Sequence, residues 1–188
     1  MIVKDSASQL EAKWASLSPG PRGAGQVVLL VLRASPSQLP KGQDKIAQPL
    51  HHQPSSIRFT TEDGIEGDRW KEGKDQGAQI SLTSLAVTRL VAGGKERWHL
   101  LGDNLVVEMD LSAEALPVGT RLSLGSGEIE ISDQAHTPCD RYRARLGDAA
   151  HDWVADESHE SRHLRGRYAR ILRGGEVSIG DTITVVPS

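Results

Sequence analysis

The sequence predicts a mainly β fold, a barrel or sandwich carrying a few peripheral helices. Nineteen Gly and nine Pro are spread through 188 residues, a composition that makes many turns. Short runs rich in Val, Ile and Leu recur between those turns. Helical periodicity is confined to three short stretches.

The first of these is 6–17. Ser6 and Gln9 have capping-box spacing, Leu10, Trp14 and Leu17 share one face, and Pro19-Gly20-Pro21 stops the helix. Residues 1–25 therefore read as a helical extension and linker, and 26–188 as the barrel domain. Gln26 to Arg33 is a strand whose unbroken apolar run implies burial on both faces. Residues 35–54, with four prolines, read as a long loop, and Ser56 to Thr61 as a strand closed by the turn Glu62-Asp63-Gly64. Gly67 to Gly77 is a polar loop, followed by a strand at Gln79 to Leu82. Residues 84–92 form the second predicted helix, ended by Gly93-Gly94. Strands follow at 105–107, 121–124 and 128–132, the third helix at 148–157, and final strands at 168–173 and 182–186.

A net charge of −3 gives no basic field for nucleic acid. A single cysteine excludes an internal disulfide framework and suits a reducing compartment. The start of the chain lacks the apolar core of a signal peptide, and Val27 to Leu32 is too short to span a bilayer, so a cytoplasmic protein without membrane contact is expected.

That cysteine, Cys139, is the first candidate for chemistry. It follows Thr137-Pro138 and precedes Arg141, Arg143 and Arg145, and cations favour the thiolate. A buried, inert thiol is the competing reading, and the local residues do not separate the two. Arg162, Arg165, Arg167, Arg170 and Arg173 bracket the strand at 168–173. Brought beside the cysteine loop they would make an anion pocket; left on the surface they would be a solvated face. His159-Glu160-Ser161-Arg162-His163 matches the zinc-hydrolase pattern H-E-x-x-H. Its surroundings are almost wholly polar, Gly166 follows at once, and no third ligand is evident, so zinc is not expected. His51 and His52 are adjacent and point apart in an extended chain, which argues against a shared metal. Gly20 to Gly25 lacks the Lys-Ser/Thr ending of a phosphate loop, and no nucleophile elbow is present.

An ordered series of short motifs resembles the MOSC domain family, the C-terminal domain of molybdenum cofactor sulfurases. The matching pieces are Gly67-Asp68-Arg69, Gln79-Ile80-Ser81-Leu82, Gly102-Asp103-Asn104-Leu105, Leu116 to Leu122, Thr137-Pro138-Cys139, Gly166 to Leu172, and Gly175 with Val177 to Asp181. The resemblance implies a β-barrel in which Cys139 is the signature residue, carrying a persulfide or ligating molybdenum. It implies molybdenum cofactor as the ligand, with no structural metal. Arg141, Arg143, Arg167 and Arg170 would meet its phosphate, and Asp68, Arg69, Asp103 and Asn104 would shape the pocket; turn formation is the competing role for these last four. A sulfur donor such as a cysteine desulfurase is the implied partner, and pyridoxal phosphate belongs to that partner. Some relatives reduce N-hydroxylated compounds with an external electron donor, which gives an oxidoreductase as the alternative; a non-catalytic anion-binding module is a third. The hydroxylaminopurine-resistance relatives carry a His-Gly-Gly segment where this chain has Lys71 to Gly77 without histidine, so their substrate does not transfer directly.

Overall fold

The computed structural model describes residues 5–35, 50–73 and 75–187. Most of the loop predicted at 35–54 lies outside the described residues. Seven strands close into a barrel: β1 (Ala24–Leu30), β6 (Ile80–Ser84), β7 (Leu105–Glu108), β8 (Arg121–Leu124), β9 (Gly127–Ile131), β10 (Arg167–Arg173) and β12 (Thr182–Val185). Their order around the barrel is β1-β12-β8-β9-β10-β6-β7, and β7 returns to β1. Every pairing is antiparallel except β6 with β7. That parallel pair needs a crossover, which the chain supplies as α3 (Leu85–Ala92) and a 3-10 turn at Lys95–Leu101. A second sheet, β4 (Ser56–Thr60), β5 (Gly64–Ile65) and β11 (Gly175–Ser178), packs its apolar face onto the barrel through Ile57, Phe59, Ile65 and Val177. A two-stranded ribbon joins β2 (Leu32–Arg33) to β3 (His51–His52).

Strand alternation divides the apolar residues between two cores. In β7, Leu105 and Val107 fill the barrel while Val106 faces out under the helices. In β1, Val27 and Leu30 face in and Leu29 faces out. The continuous apolar run in β1 is thus explained, since both faces are covered. The outer core is roofed by α1 (Ala7–Trp14), α3, α4 (Asp140–Leu146) and α5 (Asp148–Ala155), through Leu10, Leu85, Tyr142, Leu146 and Trp153. Ser6 caps α1 through the predicted box with Gln9. The helix is tied to α5 by Glu11, which accepts from Trp153 Nε1 at 3.0 Å and Arg162 at 2.8 Å.

Several elements differ from the sequence reading, among them a short strand at His51–His52 and a helical turn at Trp70–Gly73 in stretches read as loops. Asp140–Leu146 is a helix, α4, that was not predicted; three arginines mask its periodicity, and only Tyr142 and Leu146 are buried. Gly175–Ser178 is a strand of its own, β11, which turns away from β10 and itself pairs with β4. The H-E-x-x-H segment is a 3-10 turn, Glu157–Arg162, ended by His163 at φ 48°. His159 Nδ1 lies 2.9 Å from the Trp153 carbonyl and its Nε2 lies 3.2 Å from Glu11. The two histidines therefore do not repeat on one α-helical face.

Candidate functional site around Cys139

Cys139 is exposed and occupies the N-cap position of α4, with extended backbone. It sits at the end of the segment that leaves β9 at Ile131, a length of chain with almost no regular structure. Helical spacing then decides where its neighbours go. Arg141 and Arg145, four apart, share a face of α4. Arg143 lies on another side, where it pairs with Asp148 at 3.0 Å and Asp152 at 3.2 Å.

Arg141 and Arg145 meet Arg69, which comes from the loop after β5. Arg69 is held below the ordinary arginine range by burial first, then by the charges of Arg33 and Arg141, with Asp68 and then Cys139 acting against them. Arg145 is lowered for the same reasons: burial, then Arg69 and Arg141, again opposed by Cys139. A cluster of cations beside a thiol is a place that favours an anion. Among the described residues, no carboxylate lies within ion-pair distance of Arg69 or Arg141. Gly102, left-handed at φ 80°, keeps the floor open: a Cβ there would stand 3.3 Å from the Arg145 guanidinium and 3.8 Å from His51.

His51 and His99 border this cluster. Their rings meet edge to face at 5.7 Å, and His51 Nδ1 donates to the His99 carbonyl at 2.7 Å. That bond places the proton on Nδ1 and leaves Nε2 as an acceptor. Burial pushes His51 down to about 4, with the charge of Arg145 adding to it, so the ring is neutral near pH 7.

Asp68 and Asn104 work beneath the pocket. The Asp68 side chain is fully buried and accepts from the Arg33 guanidinium at 2.6 Å and from the Arg33 and Trp70 amides at 2.9 Å each. Asn104 donates to Asp68 at 3.0 Å and accepts from the Ser81 amide at 3.1 Å. This network ties the exit of β1, the loop bearing Arg69, β6 and the entry of β7 into one unit. Asp103 is buried too and accepts from Arg165 at 2.6 Å. Burial raises its carboxyl, while the Arg165 charge draws it back.

The structure therefore brings Cys139, Arg69 and Arg141 together, and sets Asp68, Asp103 and Asn104 directly behind them as buried supports. Arg143 is turned away. Arg167 is buried elsewhere, donating to the Leu116 carbonyl at 2.9 Å. Arg170 is on the outside of the barrel, paired with Glu130 on β9 at 2.6 Å. Of the later arginines, only Arg165 reaches the cysteine segment. Arg33, Arg145, Arg165, His51 and His136 complete the surroundings. The i, i+4 spacing from Arg141 points to Arg145; nothing in the sequence singles out Arg33, and His51 stands out only beside His52, as a metal pair that the spacing argues against.

Among the described residues, no group of three or more His, Cys, Asp or Glu side chains gathers to hold a metal ion. No helix among them is long and apolar enough to cross a membrane.

Solved structures share the architecture. YuaD of Bacillus subtilis superposes with a TM-score of 0.53 at 18% identity, covering 88% of this chain and 97% of that one. YiiM of Geobacillus stearothermophilus gives a TM-score of 0.52 at 14% identity, over 87% of this chain and 75% of that one. At such identities the likeness establishes the fold. No curated protein matches the chain. The sequence pattern of the MOSC domain matches residues 78–184, from the start of β6 through most of β12 and across Cys139. With more than half its length inside that match, and with the closed barrel to go with it, the chain belongs to the MOSC domain family.

Proposed function

We propose that this protein binds molybdenum cofactor, with the arginines around Cys139 holding its phosphate and the thiol meeting its sulfur-rich end. The observation that carries the reading is that Arg141 and Arg145 share a face of the helix capped by the exposed Cys139, with Arg69 near enough for its charge to act on Arg145. Guanidinium groups suit phosphate because their planar forks present paired donors. A thiolate is a soft ligand of the kind that suits molybdenum chemistry. Mutual repulsion among the cations is relieved when an anion enters, so the pocket fits the group. When bound, the cofactor supplies a redox-active, sulfur-ligated metal.

The chain's own residues do the rest. Arg69, Arg141 and Arg145 bind and orient the anion. Neutral His51 offers Nε2 as an acceptor at the rim. The exposure of Cys139 supports a second role, sulfur carriage. In that step the thiolate attacks the outer sulfur of a donor persulfide; the Cys139 Sγ–S bond forms, the donor S–S bond breaks, and the donor leaves as a thiolate. A desulfurase-like donor protein fits that role, and reduction of an N-hydroxylated substrate would need an electron donor from outside the chain.

The test is molybdenum and pterin content of protein made in a cofactor-competent host, with intact mass of the Cys139 peptide. The reading expects cofactor approaching one equivalent, or an extra sulfur on Cys139, with either lost in Cys139→Ser and the cofactor also reduced in Arg141→Ala. Neither cofactor nor sulfur adduct in the wild-type protein would overturn it.

A further inference from the structure

The segment carrying Cys139 is anchored at both ends on one buried ion pair. His136, three residues before the thiol, turns Nε2 toward Asp103 Oδ1 at 3.6 Å and stacks on Tyr168 at 4.0 Å. Tyr142, three residues after it, lies beneath the Arg165 guanidinium at 4.8 Å. Asp103 and Arg165 are themselves joined at 2.6 Å, and Arg165 also donates to the Leu101 carbonyl at 3.2 Å. All four side chains are nearly excluded from solvent.

This pair is not arranged for economy of hydrogen bonds. Among the described residues His136 Nδ1, Tyr142 OH and Arg165 Nε are buried without a hydrogen-bond partner, and Asp103 Oδ1 meets His136 only at 3.6 Å. Such orphans are costly, and a pair built only for stability would be satisfied or replaced by apolar side chains. What the pair does provide is a fixed point shared by both flanks of the thiol. Tyr142 belongs to α4, the helix that carries Arg141 and Arg145, so the pair that holds His136 also anchors that helix.

We propose that Asp103 and Arg165 are positioning residues for Cys139, acting through His136 and Tyr142 to hold the thiol and the α4 arginines in register. The inference rests on the thiol and arginine reading above but does not require the cofactor.

The experiment compares alkylation of Cys139 by iodoacetate and iodoacetamide, with no ligand present. The arginines favour the anionic reagent, so the ratio of the two rates reports their alignment with the thiol, independent of global stability. Tyr142→Leu removes the aromatic ring and changes no charge; the ratio is expected to fall several-fold toward that of a free cysteine. Arg165→Met is expected to do the same. Tyr142→Phe keeps the ring and discards an unpartnered hydroxyl, so it retains the wild-type ratio. Ile183→Val, deep in the barrel, lowers stability and leaves the ratio alone. An unchanged ratio in Tyr142→Leu overturns the positioning role. Should Arg165→Met fail to fold, the Tyr142 pair of variants still decides. A wild-type ratio no higher than that of free cysteine would instead count against the anion pocket itself.

Discussion

Asp68 and Arg69 are consecutive, and their substitution should have opposite consequences. Asp68→Asn keeps the side-chain volume and removes the charge. The carboxylate is fully buried against Arg33, whose own side chain is only 13% exposed. Breaking a buried pair by neutralising one partner costs about 3–5 kcal/mol, because the other charge is left uncompensated. The amide hydrogens of Arg33 and Trp70 would also face an altered acceptor. Against a net stability of roughly 5–15 kcal/mol for an ordinary domain, that loss is from about a fifth to all of the margin. Arg69→Ala should do the reverse. It removes a cation held below its usual range by burial and by Arg33 and Arg141, so the ligand-free protein should keep or gain stability, while anion affinity falls. Urea denaturation of both variants, with sulfate or phosphate added in a second series, measures the two effects. A loss under about 1.5 kcal/mol for Asp68→Asn, or undiminished anion stabilisation in Arg69→Ala, would refute the division into support and contact.

Three further outcomes follow from the same geometry. Gly166→Ala should cost upward of about 2 kcal/mol, since the residue has φ 106° and a Cβ would overlap the Leu82 carbonyl; thermal denaturation reads this. Arg170→Ala and Arg143→Ala should leave anion stabilisation within error of wild type, because their partners are Glu130 and Asp148. On acidification, stability should fall between about pH 6.5 and 4: burial holds His51 and His163 at about 4 in the fold, so the unfolded chain takes up these protons first, at about 1.4 kcal/mol per pH unit for each. His51→Gln should shallow that slope in pH-dependent melting, and an unchanged slope would refute the burial of a neutral ring.

The barrel was legible because its signals are local. Gly and Pro punctuate the strands, and β1 reads as an apolar run because both of its faces are covered. The thiol and its flanking arginines were legible as a set, but not their division of labour. Arg141 and Arg143 are indistinguishable in sequence until α4 exists, and α4 shows a weak apolar pattern since it covers the outer core with two residues only. Arg167 and Arg170 sit in one motif, yet β10 sends one toward the Leu116 carbonyl and the other outward. Asp68, Asp103 and Asn104 look like turn residues, and their burial is set by contacts to positions 33, 165 and 81, which lie 35, 62 and 23 residues away. No local pattern encodes such pairings.

That division has a physical logic. Gathering cations around one thiol works against folding, since each is desolvated and repelled by the others. The chain meets this cost by matching the innermost arginines with buried carboxylates, Arg33 with Asp68 and Arg165 with Asp103. Arg69 and Arg141 have no such carboxylate among the described residues. The inner pairs cancel charge and fix geometry; the outer cations keep their charge for a ligand. An anion that binds there should therefore stabilise the fold as well as occupy it, by RT ln(1 + [L]/Kd) for a single site. The stabilisation should vanish first in Arg69→Ala and Arg141→Ala, whereas loss of Asp68 or Asp103 should weaken the fold before it weakens the site.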